Sequence, residues 1–194
     1  MKDNFFKSAV TLLFACVLSS TCLGALQMPK HGLLAHWLAD GDTADALGHF
    51  DGIAVGDLTY SSGIFGESFE FDGNGSYVEI PKSYKLNIGK QLTIAFWMKF
   101  DPTNTTTYQG LVANDFYGIE LAGGTVQAYV MSAGNGWAIT SGGPDVTDAQ
   151  WHHIVSTYDG AKLRLYVDGL AWGEPVIYSG NIISAPTNSF LCIG

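Results

Sequence analysis

A chain of 194 residues with 13% aromatics, 24 glycines and only 14% charged residues suffices for one domain with a substantial core, but not for two large ones. This composition excludes a disordered or coiled-coil chain and favours an ordered all-β globule. The net charge of −9, with no basic cluster, argues against nucleic acid and anionic membranes as partners, since nothing would offset phosphate repulsion.

Residues 1–24 read as a secretory signal peptide. Lys2 and Lys7 make a weakly basic start, and Ser8 to Leu18 is an apolar run too short for a permanent membrane span. Cys22-Leu23-Gly24 before Ala25 offers small residues where a signal peptidase reads. Leu13-Phe14-Ala15-Cys16 also resembles a lipobox, but Phe14 and the apolar Val17-Leu18 fit that pattern poorly. Loss of residues 1–24 takes the basic residues from 9 to 7 and the acidic ones from 18 to 17, for a net charge of −10. Of the cysteines only Cys192 would remain, so an internal disulfide is not expected. Either Cys192 packs as a small hydrophobe or its partner lies beyond Gly194.

Residues 25–31 form a short leader. Gly32–Leu38 reads as a first strand around Trp37, followed by the polar loop Asp40 to Asp51. Short strands are expected at Gly52–Val55, Leu58–Tyr60, around Phe69–Phe71 and at Tyr77–Ile80, where large apolar residues alternate with polar ones. Leu92–Phe100 is the most apolar strand. Ile94, Phe96, Met98 and Phe100 share one face, and such a strand is expected to be central and covered on both faces. Tyr108–Ala113, Phe116–Leu121, Thr125–Met131 and Gly136–Thr140 follow, divided by Asn-Asp, Gly-Gly and Gly-Asn turns. The stretch from Trp151 to Gly173 predicts a three-stranded meander, Trp151–Tyr158, Lys162–Val167 and Leu170–Val176. Its turns are marked by Asp159-Gly160 and Asp168-Gly169, because Asp-Gly supplies the positive φ that tight hairpins need. Many short strands without a helical period predict a sandwich or jelly roll.

Trp151, His152, Ile154, Val155, Tyr158, Asp159, Gly160, Leu163, Leu165, Tyr166, Val167, Asp168 and Gly169 resemble the signature of laminin-G-like domains of the concanavalin A-like lectin/glucanase group. Gly66, Phe69, Phe71, Asp72, Gly73, Tyr77, Val78 and Ile80 match a second motif of that family, and Thr93, Ile94, Trp97, Met98 and Lys99 a third. The resemblance covers residues 32–194 and implies an all-β, two-sheet antiparallel jelly-roll sandwich. Phe190 to Gly194 is similar to the family's next-to-last motif, which implies that this chain lacks the last strand. By the same resemblance the chain is a non-catalytic extracellular binding module, secreted or at the cell surface, with a glycan or an extracellular protein as partner. The alternatives are a purely structural accessory domain of a larger secreted protein and, less favoured, a glycoside hydrolase.

Catalysis by a retaining glycosidase needs two carboxylates about 5 Å apart. Glucanases of the group carry them as E-x-D-x-x-E, and the nearest match, Glu70 to Gly75, lacks the last acid. His152 and His153 are adjacent on a strand and point to opposite faces, so they do not form one metal site; a packed, hydrogen-bonded His152 is expected. Asp40, Asp42, Asp45 and Asp51 are the cation candidates, since Ca²⁺ takes carboxylate and carbonyl oxygens on flexible loops and the family often holds a structural Ca²⁺. A solvated, turn-rich loop is the alternative reading. Among the aromatics, Tyr108, Phe116, Tyr117, Trp137 and Trp172 lie near loops or mid-sheet. A sugar's C–H face stacks on an aromatic ring, so Tyr117, Trp137 and Trp172 are the ligand-binding candidates. Trp37, Phe96, Trp97 and Trp151 are expected in the core.

Overall fold

The computed structural model describes residues 6–9, 32–101, 108–183 and 190–194. Its strands are β1 (Phe6–Ala9), β2 (Ile53–Val55), β3 (Thr59–Ser62), β4 (Glu67–Phe71), β5 (Tyr77–Ile80), β6 (Leu92–Lys99), β7 (Tyr108–Ala113), β8 (Tyr117–Ala122), β9 (Thr125–Ser132), β10 (Gly136–Ile139), β11 (Trp151–Tyr158), β12 (Lys162–Val167), β13 (Leu170–Ile177) and β14 (Leu191–Ile193). A 3-10 turn at Tyr84–Leu86 is the only helical element among the described residues. Two seven-stranded antiparallel sheets result. Sheet I runs β13-β12-β11-β6-β1-β4-β3, and sheet II runs β10-β9-β8-β7-β14-β5-β2.

The sheets meet through side chains that alternate along each strand, as period-two backbone requires. Phe69, Phe71, Phe96, Met98, Ile154, Leu163 and Leu165 of sheet I bury against Val78, Ile80, Ile119, Leu121, Val126 and Ile193 of sheet II. Each fully buried aliphatic or aromatic side chain stabilises by roughly 1.5–3 kcal/mol, so this shared interior dominates the stability of the sandwich.

The meander is formed as expected, with Ile154 opposite Val167 and Leu165 opposite Trp172. At its second turn Asp168 and Gly169 both have positive φ, 53° and 79°, as a two-residue type I′ hairpin demands. β6 is central, flanked by β11 and β1.

Two expectations differ. Gly32–Leu38 is not a strand; it is an irregular run with one bridge, Trp37 to Asp45. The reason is local: Gly32 and Ala39 both have positive φ, and Trp37 is fixed by its indole N–H donating to Phe50 O at 2.8 Å. Trp97 and Trp151 are half-buried instead of lying in the core. Trp97 alternates with the fully buried Phe96 and Met98, so its indole is on the outer side of sheet I, 5.0 Å from the His153 ring. Strand β1 lies within residues 1–24, the segment read as a signal.

Candidate functional site

Strand β8 carries the site. Tyr117, Ile119 and Leu121 point inward, so Gly118, Glu120 and Ala122 point outward from sheet II. The Gly123-Gly124 turn, with φ of 59° and 84°, sets the β8–β9 register and places Glu120 opposite Gln127. Glu120 is only 6% exposed. One of its carboxylate oxygens accepts from the Tyr108 hydroxyl and the other from the Gln127 amide. Tyr108 lies opposite Ala122, two pairs further along the β7–β8 ladder, and reaches Glu120 diagonally. The hydrogen bond to Glu120, then burial, push the Tyr108 phenol up to about 12. A buried carboxylate needs such donors, because its desolvation is costly without them.

Beside this triad lies an aromatic pair. Tyr129 is opposite Gly118, and its hydroxyl donates to Asn114 O at 2.7 Å. A Cβ on Gly118 would come within 2.8 Å of that hydroxyl, so only glycine leaves room for the ring. Burial, and then the charge of Glu120, raise the Tyr129 phenol above its ordinary value. Trp137 packs edge-on against Tyr129, with ring centroids 5.5 Å apart, and is 50% exposed. By strand spacing and rise, Trp137 lies about 16 Å from Glu120 across the sheet. The outer face of sheet II therefore offers a polar anchor and a stacking platform, separated by the length of a short linear ligand.

The sequence-derived candidates are dispersed. Trp137 is on this face. Tyr117 is not: it is 4% exposed, its hydroxyl donates to Leu86 O at 2.9 Å, and it lines a partly open cavity of about 820 Å³ with Leu86, Ile88 and Tyr158. Burial pushes its phenol up to about 12. Trp172 is on the far edge strand of sheet I, and its indole N–H is occupied by Gly142 O at 2.8 Å.

The four aspartates proposed as cation ligands all accept backbone N–H groups. Asp45, 3% exposed, accepts four backbone N–H groups, from His36, Leu47, His49 and Phe50. Asp51 accepts from Asp45 N, Asp42 from Ala44 N and Asp40 from Glu67 N. Two of these donors, His36 N and Glu67 N, come from outside the loop and tie it to the neighbouring segments. Among the described residues no group of three or more His, Cys, Asp or Glu side chains is arranged to hold a metal ion. His152 is held as expected, with Nδ1 2.9 Å from Asp168 and Nε2 3.0 Å from Asp148. Cys192 is a half-buried free thiol, and burial first, then Glu79 and Asp115, push it up to about 11. Asp72 of the incomplete acid motif sits in a turn, where it accepts from Asn74 N and from both the backbone and the hydroxyl of Ser76.

Reasoning from sequence missed Glu120, Gln127 and Tyr129. The signal was present: Glu120 is the one charge in the apolar run Tyr117–Ala122, and a two-residue Gly-Gly turn fixes Gln127 as its partner.

The two facing antiparallel sheets define an all-β sandwich of the concanavalin A-like kind. Residues 72–194, more than half of the chain, match the third laminin-G family of the concanavalin A-like lectin/glucanase superfamily, and the chain belongs to that family. A sequence search of curated proteins gave no match. Several solved structures share the fold. Domain 4 of AbnA, an extracellular arabinanase from Geobacillus stearothermophilus solved with arabinotriose, is 19% identical with a TM-score of 0.60, over 79% of this chain and 78% of that one. The binding domain of Paraclostridial Mosquitocidal Protein 1 is 14% identical with a TM-score of 0.57, over 77% of this chain and 44% of that one. The receptor-binding domain of botulinum neurotoxin mosaic serotype C/D is 11% identical with a TM-score of 0.60, over 76% and 39%. This chain thus spans less than half of those two toxin domains. Among the described residues no helix is long and apolar enough to cross a membrane.

Proposed function

We propose that this domain is a non-catalytic glycan-binding module of a secreted or cell-surface protein, with residues 1–24 as the secretory signal and the outer face of sheet II as the binding face. The observation that carries this reading is Glu120, a nearly buried carboxylate held by Tyr108 and Gln127 on the same face as the exposed Trp137. A sugar hydroxyl exchanges readily with such side-chain donors, and a sugar ring stacks on Trp137. The arabinotriose held by the arabinanase domain makes short neutral oligosaccharides the first ligands to try. The chain's negative charge disfavours anionic glycans.

Hydrolysis is not part of the reading. The only other carboxylate on the strands of sheet II is Glu79, on β5. Three strand spacings separate β5 from β8, about 14 Å, whereas a glycosidase pair lies about 5–9.5 Å apart.

Isothermal titration against an arabino-oligosaccharide ladder, followed by a glycan array, tests the proposal. Wild type binds at least one short neutral glycan, and Trp137→Ala weakens it about tenfold or more, equivalent to about 1.4 kcal/mol. Binding is equal with and without Ca²⁺. No bound glycan, or full binding by Trp137→Ala, overturns the reading.

A further inference from the structure

The two sheets do not close on each other everywhere. Where the irregular run 32–35 meets the loop before β6, they leave the partly open cavity of about 820 Å³ that Tyr117 lines, a size within the range of small-molecule sites. Val112, Tyr117 and Leu191 of sheet II and Ile94 and Tyr158 of sheet I face each other across it. Leu92, Thr93, Ile94 and Ala95 all line it, although successive residues of a strand point to opposite faces. The cavity therefore passes along the edge of β6 and opens there.

The chemistry of its wall is one-sided. Two phenols reach it, and both donate their hydroxyl protons to backbone carbonyls, Tyr117 to Leu86 O at 2.9 Å and Tyr158 to Gly180 O at 2.6 Å. A polyhydroxylated ligand would leave its own groups unpaired against this wall, whereas an alkyl chain forfeits no hydrogen bond. At the mouth the charged groups are unequal. The Asp159 carboxylate is turned to its own hairpin, 2.9 Å from Arg164 Nη1 and accepting from Ala161 N and Lys162 N. Lys85 is exposed and has no carboxylate partner among the described residues. Lys82 and Lys90, both exposed, follow the same loop. Three lysines are too few for a nucleic-acid surface, but they suffice for one anionic head group.

We propose that this cavity is a second binding site, for a single long-chain carboxylate. The alkyl chain lies among Leu34, Leu86, Ile94, Val112 and Leu191, and the head group meets Lys85 at the mouth. Burial of the chain supplies the affinity, and the lysine selects the anionic head. The inference does not depend on the glycan reading, which concerns the outer face of sheet II.

The test titrates the full chain with dansyl-undecanoic acid, whose emission rises in apolar surroundings. The probe is then displaced by saturated fatty acids of about 8 to 14 carbons and by the matching alcohols, all below their critical micelle concentrations. Affinity rises about fourfold per added methylene until the cavity is full, and each acid binds about tenfold tighter than its alcohol. Lys85→Gln removes that preference and leaves the alcohols' affinity unchanged. Ala35→Phe fills the cavity and weakens binding of acids and alcohols alike by about tenfold or more. Should Ala35→Phe fail to fold, Thr93→Trp, at the exposed mouth, serves instead. Absence of saturable probe binding, affinity independent of chain length, equal affinity for acids and alcohols, or full binding by the folded cavity-filling variant overturns the proposal.

Discussion

Asp45 and Glu120 are both nearly buried carboxylates, and they are satisfied in opposite ways. Asp45 is held by four backbone N–H groups of its own and an adjacent segment, whereas Glu120 is held by two side chains, one of them the 60%-exposed Tyr108. Backbone donors cannot leave without unfolding the loop. Side-chain donors at an open face can swing aside and exchange for a ligand's hydroxyls. A carboxylate of the first kind builds the fold, and one of the second kind is available for recognition. Asp45 also lies in an acid-rich loop that composition alone offers as a cation site, so the number of acidic residues is a poorer guide than the origin of their hydrogen-bond donors.

The strongest way to break this comparison is Asp45→Asn. All four partners of Asp45 are donors, and an amide NH₂ would face two of them. The expected loss is about 3 kcal/mol or more, a fall in Tm of roughly 10 °C, read by thermal melting, with the affinity of the folded fraction for glycan unchanged. A melt within a degree of wild type would show that the four bonds matter little.

Glu120→Gln sharpens the other half. The substituted amide can accept from Tyr108 or Gln127 through its one oxygen, while its NH₂ meets the other donor. Stability falls by about 1 kcal/mol, while glycan affinity falls about tenfold or more, as measured by titration. A large stability loss with intact affinity would move Glu120 into Asp45's class.

These two residues also show what sequence makes legible. The meander can be read because Asp168-Gly169 and the alternation of Ile154, Leu163 and Leu165 with polar neighbours agree on one register. The Glu120–Gln127 pair follows from the same arithmetic around Gly123-Gly124, although the eye is drawn to aromatics near loops. Tyr108 is harder, because the register of β7 and β8 shifts between Gly110 and Val112, and no residue pattern announces that irregularity. The Asp40–Asp51 loop is ambiguous in sequence for a chemical reason: aspartate oxygens accept backbone N–H groups as well as they coordinate Ca²⁺. Gly32–Leu38 misleads because apolar residues around a buried Trp need not be extended; there the positive φ of Ala39 and the indole bond to Phe50 decide.

Tyr117→Phe separates interior from face. It removes only the hydroxyl that donates to Leu86 O, leaving the ring in the core. The expected cost is about 1 kcal/mol, that of one buried hydrogen bond, with glycan affinity unchanged. Weakened binding at equal stability would restore Tyr117 as a ligand contact.

The smallest effect expected is at His152, and its sign is set by linkage. Burial opposes the imidazolium, but hydrogen bonds to Asp168 and Asp148 outweigh it and raise the imidazole above its ordinary value. Its contribution is therefore fully present below about pH 6.5, the unfolded value, and is lost as pH rises through the raised folded value. Asp148 is lowered, chiefly by the hydrogen bond from His152, so its share is present above the ordinary carboxylate value and is lost as pH falls through the lowered one. Wild type should thus exceed His152→Gln most between about pH 4 and 6.5, with the margin shrinking toward pH 9. The aspartate side chains are about half exposed, so the margin is about 0.5 kcal/mol. Burial lowers His36 and His153, which therefore destabilise the fold as pH falls. Both are present in each protein, so the difference between urea midpoints at pH 5 and pH 9 cancels them to first order. A margin that grows with pH would mean that His152 is held as a neutral packing residue, in the way that Asp45 is held by its loop.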